Sequence, residues 1–120
     1  MNFKQFVESK LQWNTTLAER DPAAAAWKFG VARIDPKDYY ITFEWVPFDR
    51  IKKMWDINDV ADHVITMQRK LQKGVKLPPL VGVRSSPRNK IDIIDGGTRW
   101  TALARLNYRG LVPMVLGTEK

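Results

Sequence analysis

The segment "IIDGGTRWTALARL", residues 93–106, contains the pattern that decides the fold. Its apolar run breaks at Asp95, two glycines follow, and apolar residues then recur at helical spacing with two leucines turned inward. The segment therefore predicts a strand, a glycine turn and a helix over about residues 98–109, which Gly110 would end.

The turn between this strand and this helix has the chemistry of an anion site. Gly96 and Gly97 permit backbone angles closed to other residues, and the N–H groups at a helix start point outward. Thr98 adds a hydroxyl, and Arg99 adds a planar fork that can hold phosphate through two hydrogen bonds. Without an anion, a cation in the first helical turn costs up to about 1 kcal/mol. A bound phosphate would reverse that cost, whereas the alternative is that Arg99 pairs with Asp95 or another carboxylate, or extends into water.

Strand patterns lie on both sides of this turn. The stretches "PLVGVR" (79–84) and "KIDII" (90–94) are typical of strands, and "SSPRN" between them is typical of a turn. The stretch "LVPMVLG" (111–117) predicts a last strand. Pro113 should lie at a sheet edge or a strand start, because proline cannot donate to a ladder.

The first half of the chain adds one strand and several helices. "YYITFEWVPF" (39–48) alternates, so we expect a half-buried strand ended by Pro47, with one face formed by Ile41, Phe43 and Trp45. We expect Trp45 to lie in the core or at its rim. Helical spacing is found in residues 3–11, in "DPAAAAWKFG" (21–30) and in residues 56–74. We therefore expect an α+β domain, mixed α/β in composition, built on a small mixed sheet.

Composition limits the classes of function. The chain has 120 residues, enough for one domain, and no cysteine, which excludes disulfides, thiolate metal sites and thiol catalysis. No apolar run is long enough to span a bilayer, and the N-terminus lacks the apolar core of a signal peptide, so we expect a cytoplasmic protein without a membrane partner. The only histidine, His63, has acidic neighbours, but a surface histidine is the more common case than a metal ligand.

Positive charge is concentrated in the second half of the chain. The formal net charge is +7, and all of this excess is found in residues 61–120. Such asymmetry indicates a polyanionic partner, nucleic acid or phosphate groups, although a solvated basic surface would have the same composition. The candidate nucleic-acid contacts are Arg84, Arg88, Lys90 and Arg105.

The segment from residue 90 to residue 117 resembles the signature of the ParB/sulfiredoxin-like superfamily, which includes the ParB-like nuclease domain. The matching features are a strand, a G-x-x-R helix start at Gly96 and Arg99, a small residue at Ala102, Gly110, and a "VPV"-like strand at residues 112–115. Upstream, "FEWVPFDRI" and "PPLVGVR" are similar to earlier strands of the family, so the resemblance covers about residues 40–117. It implies a compact domain over residues 39–120, preceded by an N-terminal helical extension over residues 1–38.

The resemblance also implies a nucleotide ligand. In this superfamily the G-x-x-R turn binds CTP, ATP or ADP, in some members with Mg²⁺. The matching positions here are Asp95, Gly96, Gly97, Thr98 and Arg99. Trp100 would either wall the pocket and stack on a base or pack into the core. The chain lacks the cysteine of sulfiredoxin, so it is not a sulfiredoxin. Gly97 and Thr98 replace the histidines of kinase-like members, which argues against kinase activity. A weak NTPase and a nuclease stay open.

Three functions follow from these observations. The first is nucleotide binding in a DNA-associated role, of the kind found in phage or plasmid proteins. The second is a basic DNA-binding or ParB-like nuclease protein that contacts backbone phosphates. The third is a non-catalytic protein-interaction module on the same scaffold, and a homodimer could form through the N-terminal helices.

Overall fold

The computed structural model describes residues 12–28, 34–52, 66–67, 69–70 and 73–120. Within these residues lie the helices α1 (Thr16–Arg20), α2 (Pro22–Lys28) and α3 (Gly97–Arg105), and a 3₁₀ turn covers Phe48–Arg50. Residues 66–67 and 69–70 are also helical. The strands are β1 (Gln12–Trp13), β2 (Tyr39–Pro47), β3 (Lys76–Leu77), β4 (Leu80–Arg84), β5 (Asp92–Asp95) and β6 (Leu111–Glu119).

A four-stranded sheet organises these elements, in the order β2-β6-β4-β5. Strand β4 runs parallel to β6, while β2 pairs antiparallel with β6 and β5 pairs antiparallel with β4. A separate parallel pair joins β1 to β3. The α+β class and the mixed sheet are therefore confirmed.

Each face of the sheet contributes to a separate apolar cluster. The larger cluster includes alternate residues of β6 together with Trp100 and Leu103 of α3. The smaller cluster includes Val115 from the opposite face of β6, Ala18 of α1, and Ala25 and Ala26 of α2. Helices thus cover both faces, and α3 is fixed by the core rather than by its own helix propensity.

Local signals in the sequence explain several boundaries. The Asp21 carboxylate accepts a hydrogen bond from the backbone N–H of Ala24 at 3.1 Å, and Pro22 is the first residue of α2, as predicted. Gly74 has φ 68°, and the N–H of Val75 donates to the carbonyl of Lys70, so a glycine ends this helical segment as predicted. The predicted helix over residues 3–11, the stop at Gly30 and most of residues 56–74, His63 included, lie outside the described residues.

Three details differ from the sequence predictions. Helix α3 ends at Arg105, because Asn107 takes the left-handed conformation with φ 54° before Gly110 is reached. Trp45 continues the face of Ile41 and Phe43 but is 46% exposed, because the small cluster extends along β2 only as far as Phe43. Pro113 lies within the inner strand β6, and it is tolerated there because β4 begins one residue later, at Leu80 opposite Met114.

No helix in the described part of the chain is long and apolar enough to cross a membrane. Helices α1 and α2 pack on the sheet.

Candidate functional site

The predicted anion site lies between β5 and α3, where the chain turns at a glycine. Gly96 has φ 107°, in the left-handed region that side chains rarely adopt. A Cβ at this position would lie 2.9 Å from Nη2 of Arg99 and 2.9 Å from Cγ of Leu80. Glycine is therefore required here both for the turn and for the space that the Arg99 side chain occupies.

Arg99 is folded back against its own turn. Its side chain is only 8% exposed; Nη1 donates to the carbonyl of Pro78 at 2.9 Å and Nη2 to Oδ2 of Asp95 at 3.4 Å. Burial lowers the pKa of Arg99, and the negative charge and hydrogen bond of Asp95 oppose that shift only in part. The contact with Asp95 is the alternative that the sequence had left open. The arginine fork is thus already engaged within the chain.

The register of the sheet explains why the carbonyl of Pro78 is available to accept a hydrogen bond from Arg99. Both ends of the β2–β6 ladder use even-numbered residues, since Phe48 donates to Gly110 and Lys120 donates to Asp38. The backbone N–H and C=O groups of the odd-numbered residues of β6 therefore point toward β4. Continuing the Leu80–Met114 register back by one pair would aim the N–H of residue 113 at the carbonyl of Pro78. Because Pro113 has no N–H, Arg99 supplies the missing donor.

The start of α3 carries backbone donors to which no described residue is bonded. The first helical hydrogen bond runs from the N–H of Trp100 to the carbonyl of Gly96. The N–H groups of Gly97, Thr98 and Arg99 have no partner among the described residues, and no side chain caps them. These three donors and the positive end of the helix dipole lie together at this turn.

A cavity of about 390 Å³ adjoins these donors. Its walls include the five predicted residues, Asp95 to Arg99, so the structure brings the whole predicted set together. Its apolar side is formed by Met67, Ile93 and Ile94, which sequence reasoning did not single out. Ile93 and Ile94 precede the turn in sequence and could have been found there, whereas Met67 arrives from a distant segment without a local signal.

Trp100 lies in the core and does not line this cavity. It is buried and stacks on Phe48 with ring centroids 5.9 Å apart. Its Nε1 has no hydrogen-bond partner among the described residues. Of the two alternatives for Trp100, packing into the core is therefore the one found, and Trp100 is not a wall of this cavity.

The four predicted nucleic-acid contacts differ in exposure and in their bonds within the fold. Arg84 is 10% exposed and donates to Glu44 at 2.7 Å and to Thr118 at 2.9 Å. Arg88 and Lys90 are exposed on the turn between β4 and β5, and Arg105 is exposed in the last turn of α3. Only Arg88 and Lys90 are close in sequence and both open to solvent.

A second cavity, of about 470 Å³, lies at the opposite end of α3. Phe48 and Tyr108 form its aromatic part, and Asp49 and Arg109 are among its charged residues. None of these residues had been predicted as a site, because they come from two turns far apart in sequence. No group of three or more histidine, aspartate or glutamate side chains in the described residues could hold a metal ion.

Comparison with known proteins adds no relative. No family model matches the chain, and neither a curated protein nor a solved structure resembles it significantly. The resemblance to the ParB/sulfiredoxin-like superfamily therefore stays a prediction from the residues of the turn and its flanking strands.

Proposed function

We propose that the protein binds a nucleotide, CTP, ATP or ADP, through phosphates held at the start of α3, in a DNA-associated role. One observation carries this proposal: the residues of the whole predicted turn line a cavity of about 390 Å³, and the backbone N–H groups of three of them have no partner among the described residues. A volume in this range is usual for a small-molecule site. The net charge of +7 favours an anionic ligand.

The residues of the turn would have different roles in binding the nucleotide. The N–H groups of Gly97 and Thr98, with the Thr98 hydroxyl, would donate to phosphate oxygens. Arg99 would act as a fixed positive charge beside the phosphate, since its fork is held by Pro78 and Asp95. Asp95, whose side chain is 42% exposed, would bind a Mg²⁺ ion that arrives with the nucleotide.

Thr98 offers the sharpest test, because one substitution moves folding and binding in opposite directions. A glutamate in the first turn of a helix stabilises it by about 0.3–1 kcal/mol but repels phosphate. We therefore expect Thr98→Glu to keep or raise the melting temperature and to lose the stabilisation by nucleotide. Thr98→Gln is the matched control, with the same length and no charge, and should retain most of the nucleotide effect.

The measurement is thermal unfolding with CTP, ATP, ADP and GTP, with and without Mg²⁺. At a ligand concentration of 100 times the dissociation constant, binding should add about 2.7 kcal/mol to the free energy of unfolding. If no nucleotide at millimolar concentration stabilises the wild type, nucleotide binding is wrong. If Thr98→Glu responds like the wild type, the site lies elsewhere.

A second candidate function is contact with DNA backbone through the exposed turn that carries Arg88 and Lys90. This turn is held in place by Arg50, whose Nη2 donates to the carbonyls of Pro87 and Asn89 at 3.2 and 3.3 Å. The test is duplex binding against salt concentration. For the double variant Arg88→Gln and Lys90→Gln, the binding constant should fall less steeply with salt concentration. Each phosphate contact that is lost reduces the number of counterions released on binding. An unchanged slope would exclude this turn.

A further inference from the structure

The two edges of the four-stranded sheet are built differently. Strand β5 is four residues long, begins and ends with an aspartate, and pairs with β4 through an irregular register at Val81 and Gly82. Strand β2 is nine residues long and pairs with β6 in continuous register. Short, charged and bulged edges resist pairing with other chains, whereas long regular edges permit it.

Backbone groups of β2 point away from the sheet at every second residue. Even-numbered residues bond to β6, as the contacts at Phe48 and Asp38 show. The N–H and C=O groups of Ile41, Phe43 and Trp45 therefore face outward, whereas the N–H of Tyr39 donates to the carbonyl of Asp35 at 3.1 Å. In the part of the chain that the structure describes, no strand pairs with this edge.

The usual features that block an exposed edge are missing from β2. It contains no lysine or arginine, and its only proline, Pro47, is its last residue. Its single charged side chain, Glu44, is bound by Arg84 at 2.7 Å. Two large side chains lie in solvent along it: Tyr40 is 62% exposed and Trp45 is 46% exposed.

We propose that β2 pairs antiparallel with β2 of a second copy of this chain, on a two-fold axis at Phe43. This register pairs odd residues with odd residues, so that the outward N–H and C=O groups of both copies meet. Trp45 is then opposite Ile41 of the second copy, and Thr42 is opposite Glu44. The longest possible pairing therefore covers an exposed tryptophan with an aliphatic side chain and places no like charges directly opposite each other.

A second copy fits this edge better than an unrelated strand. The edge is self-complementary about its centre, a property that an isologous contact requires and that a donated peptide does not need. Pairing would extend the four-stranded sheet to eight strands across the two copies. The contact uses the sheet edge and neither the turn at Gly96 nor the N-terminal helices, so it stands independently of the proposed nucleotide site.

Residue 45 separates backbone pairing from side-chain contact. Trp45→Pro removes an outward N–H without touching the bonds to β6, because proline is tolerated on an edge strand whose N–H faces solvent. Trp45→Ala keeps that N–H and removes only the ring. Sedimentation velocity over a range of concentrations should give a dimer for the wild type. The dissociation constant should rise at least about tenfold for Trp45→Pro and less for Trp45→Ala.

A cysteine cross-link tests the register, since the chain has no cysteine of its own. On the proposed axis only residue 43 faces its own copy, at a Cα separation of about 5.5 Å, which a disulfide can bridge. Oxidised Phe43→Cys should therefore form a covalent dimer. Tyr40→Cys should not, because residue 40 lies about 20 Å along the strand from its copy. A wild type that is monomeric at all concentrations, a dimer that Trp45→Pro leaves intact, or equal cross-linking at residues 40 and 43 would each overturn the proposal.

Discussion

Two arginines with largely buried side chains lie at opposite ends of strand β4, and the chain holds them in different ways. Arg84, the last residue of β4, binds a carboxylate at 2.7 Å and a hydroxyl at 2.9 Å. Arg99 bonds to the carbonyl of Pro78, just before β4, and its nearest carboxylate is at 3.4 Å. Their side chains are equally buried, at 10% and 8% exposure.

The difference indicates what each arginine is for. A buried charge is stabilising only with close partners, and Arg84 has them. Arg99 has a lowered pKa because desolvation outweighs its contact with Asp95, and it stands at the helix end that disfavours a cation. Arg84 therefore contributes to the stability of the fold, whereas the position of Arg99 costs the fold some stability, and this cost supports the proposed binding site.

The largest effect should come from closing the space beside Arg99. We expect Gly96→Ala to lower the free energy of unfolding by about 3 kcal/mol, because a side chain is strained at φ 107° and its Cβ would lie 2.9 Å from Cγ of Leu80. Urea denaturation followed by circular dichroism measures this change. Adding Arg99→Met should recover only part of the loss, since the backbone strain and the Leu80 contact remain. Wild-type stability of Gly96→Ala would mean that the turn is not built as described.

Removing Arg84 should have the next largest effect. We expect Arg84→Met to cost about 1.5 kcal/mol, because Glu44 and Thr118 lose their partner, while the partial exposure of Glu44 limits the cost. The same denaturation experiment measures it. Nucleotide-dependent stabilisation should survive in this variant, because Arg84 is not among the residues that line the cavity at α3. Loss of that stabilisation would contradict the division between the two arginines.

Much of the fold could be predicted from local sequence patterns. The alternation in β2, the Asp21-Pro22 start of α2 and the glycine turn before α3 are each decided by neighbouring residues, and the structure has all three. Tertiary contacts decided what was missed. The exposure of Trp45 depends on how far the helices extend over the sheet, and the place of Pro113 depends on where β4 begins.

The candidate site also has one part that local sequence predicts and another part that only tertiary contacts decide. The turn from Asp95 to Arg99 is continuous in sequence, so its convergence on one cavity followed from the motif. The hydrogen-bond partner of Arg99, in contrast, could not be predicted from the motif. Pro78 is 21 residues away in sequence, and its carbonyl is available only because Pro113, on another strand, has no N–H. No pattern within a single segment contains that arrangement.

The smallest effect, and the most informative one, should come from Arg99 itself. Arg99→Met loses the hydrogen bonds to Pro78 and Asp95, which lowers the free energy of unfolding. It also removes a desolvated charge and a cation from the helix start, which raises the free energy of unfolding. We expect stability to change by less than about 1 kcal/mol. Nucleotide stabilisation, in contrast, should fall sharply, because a fixed charge beside the phosphate is lost.

Pro113→Ala extends this test, since it restores an N–H directed at the carbonyl of Pro78. In a double-mutant cycle, Arg99→Met should then cost less in the Pro113→Ala background, with a coupling of about 0.5–1 kcal/mol. Additive effects would show that Arg99 does not substitute for the missing donor. If Arg99→Met alone costs as much as Arg84→Met and leaves nucleotide stabilisation intact, the two arginines are alike, and Arg99 must be regarded as a structural residue like Arg84.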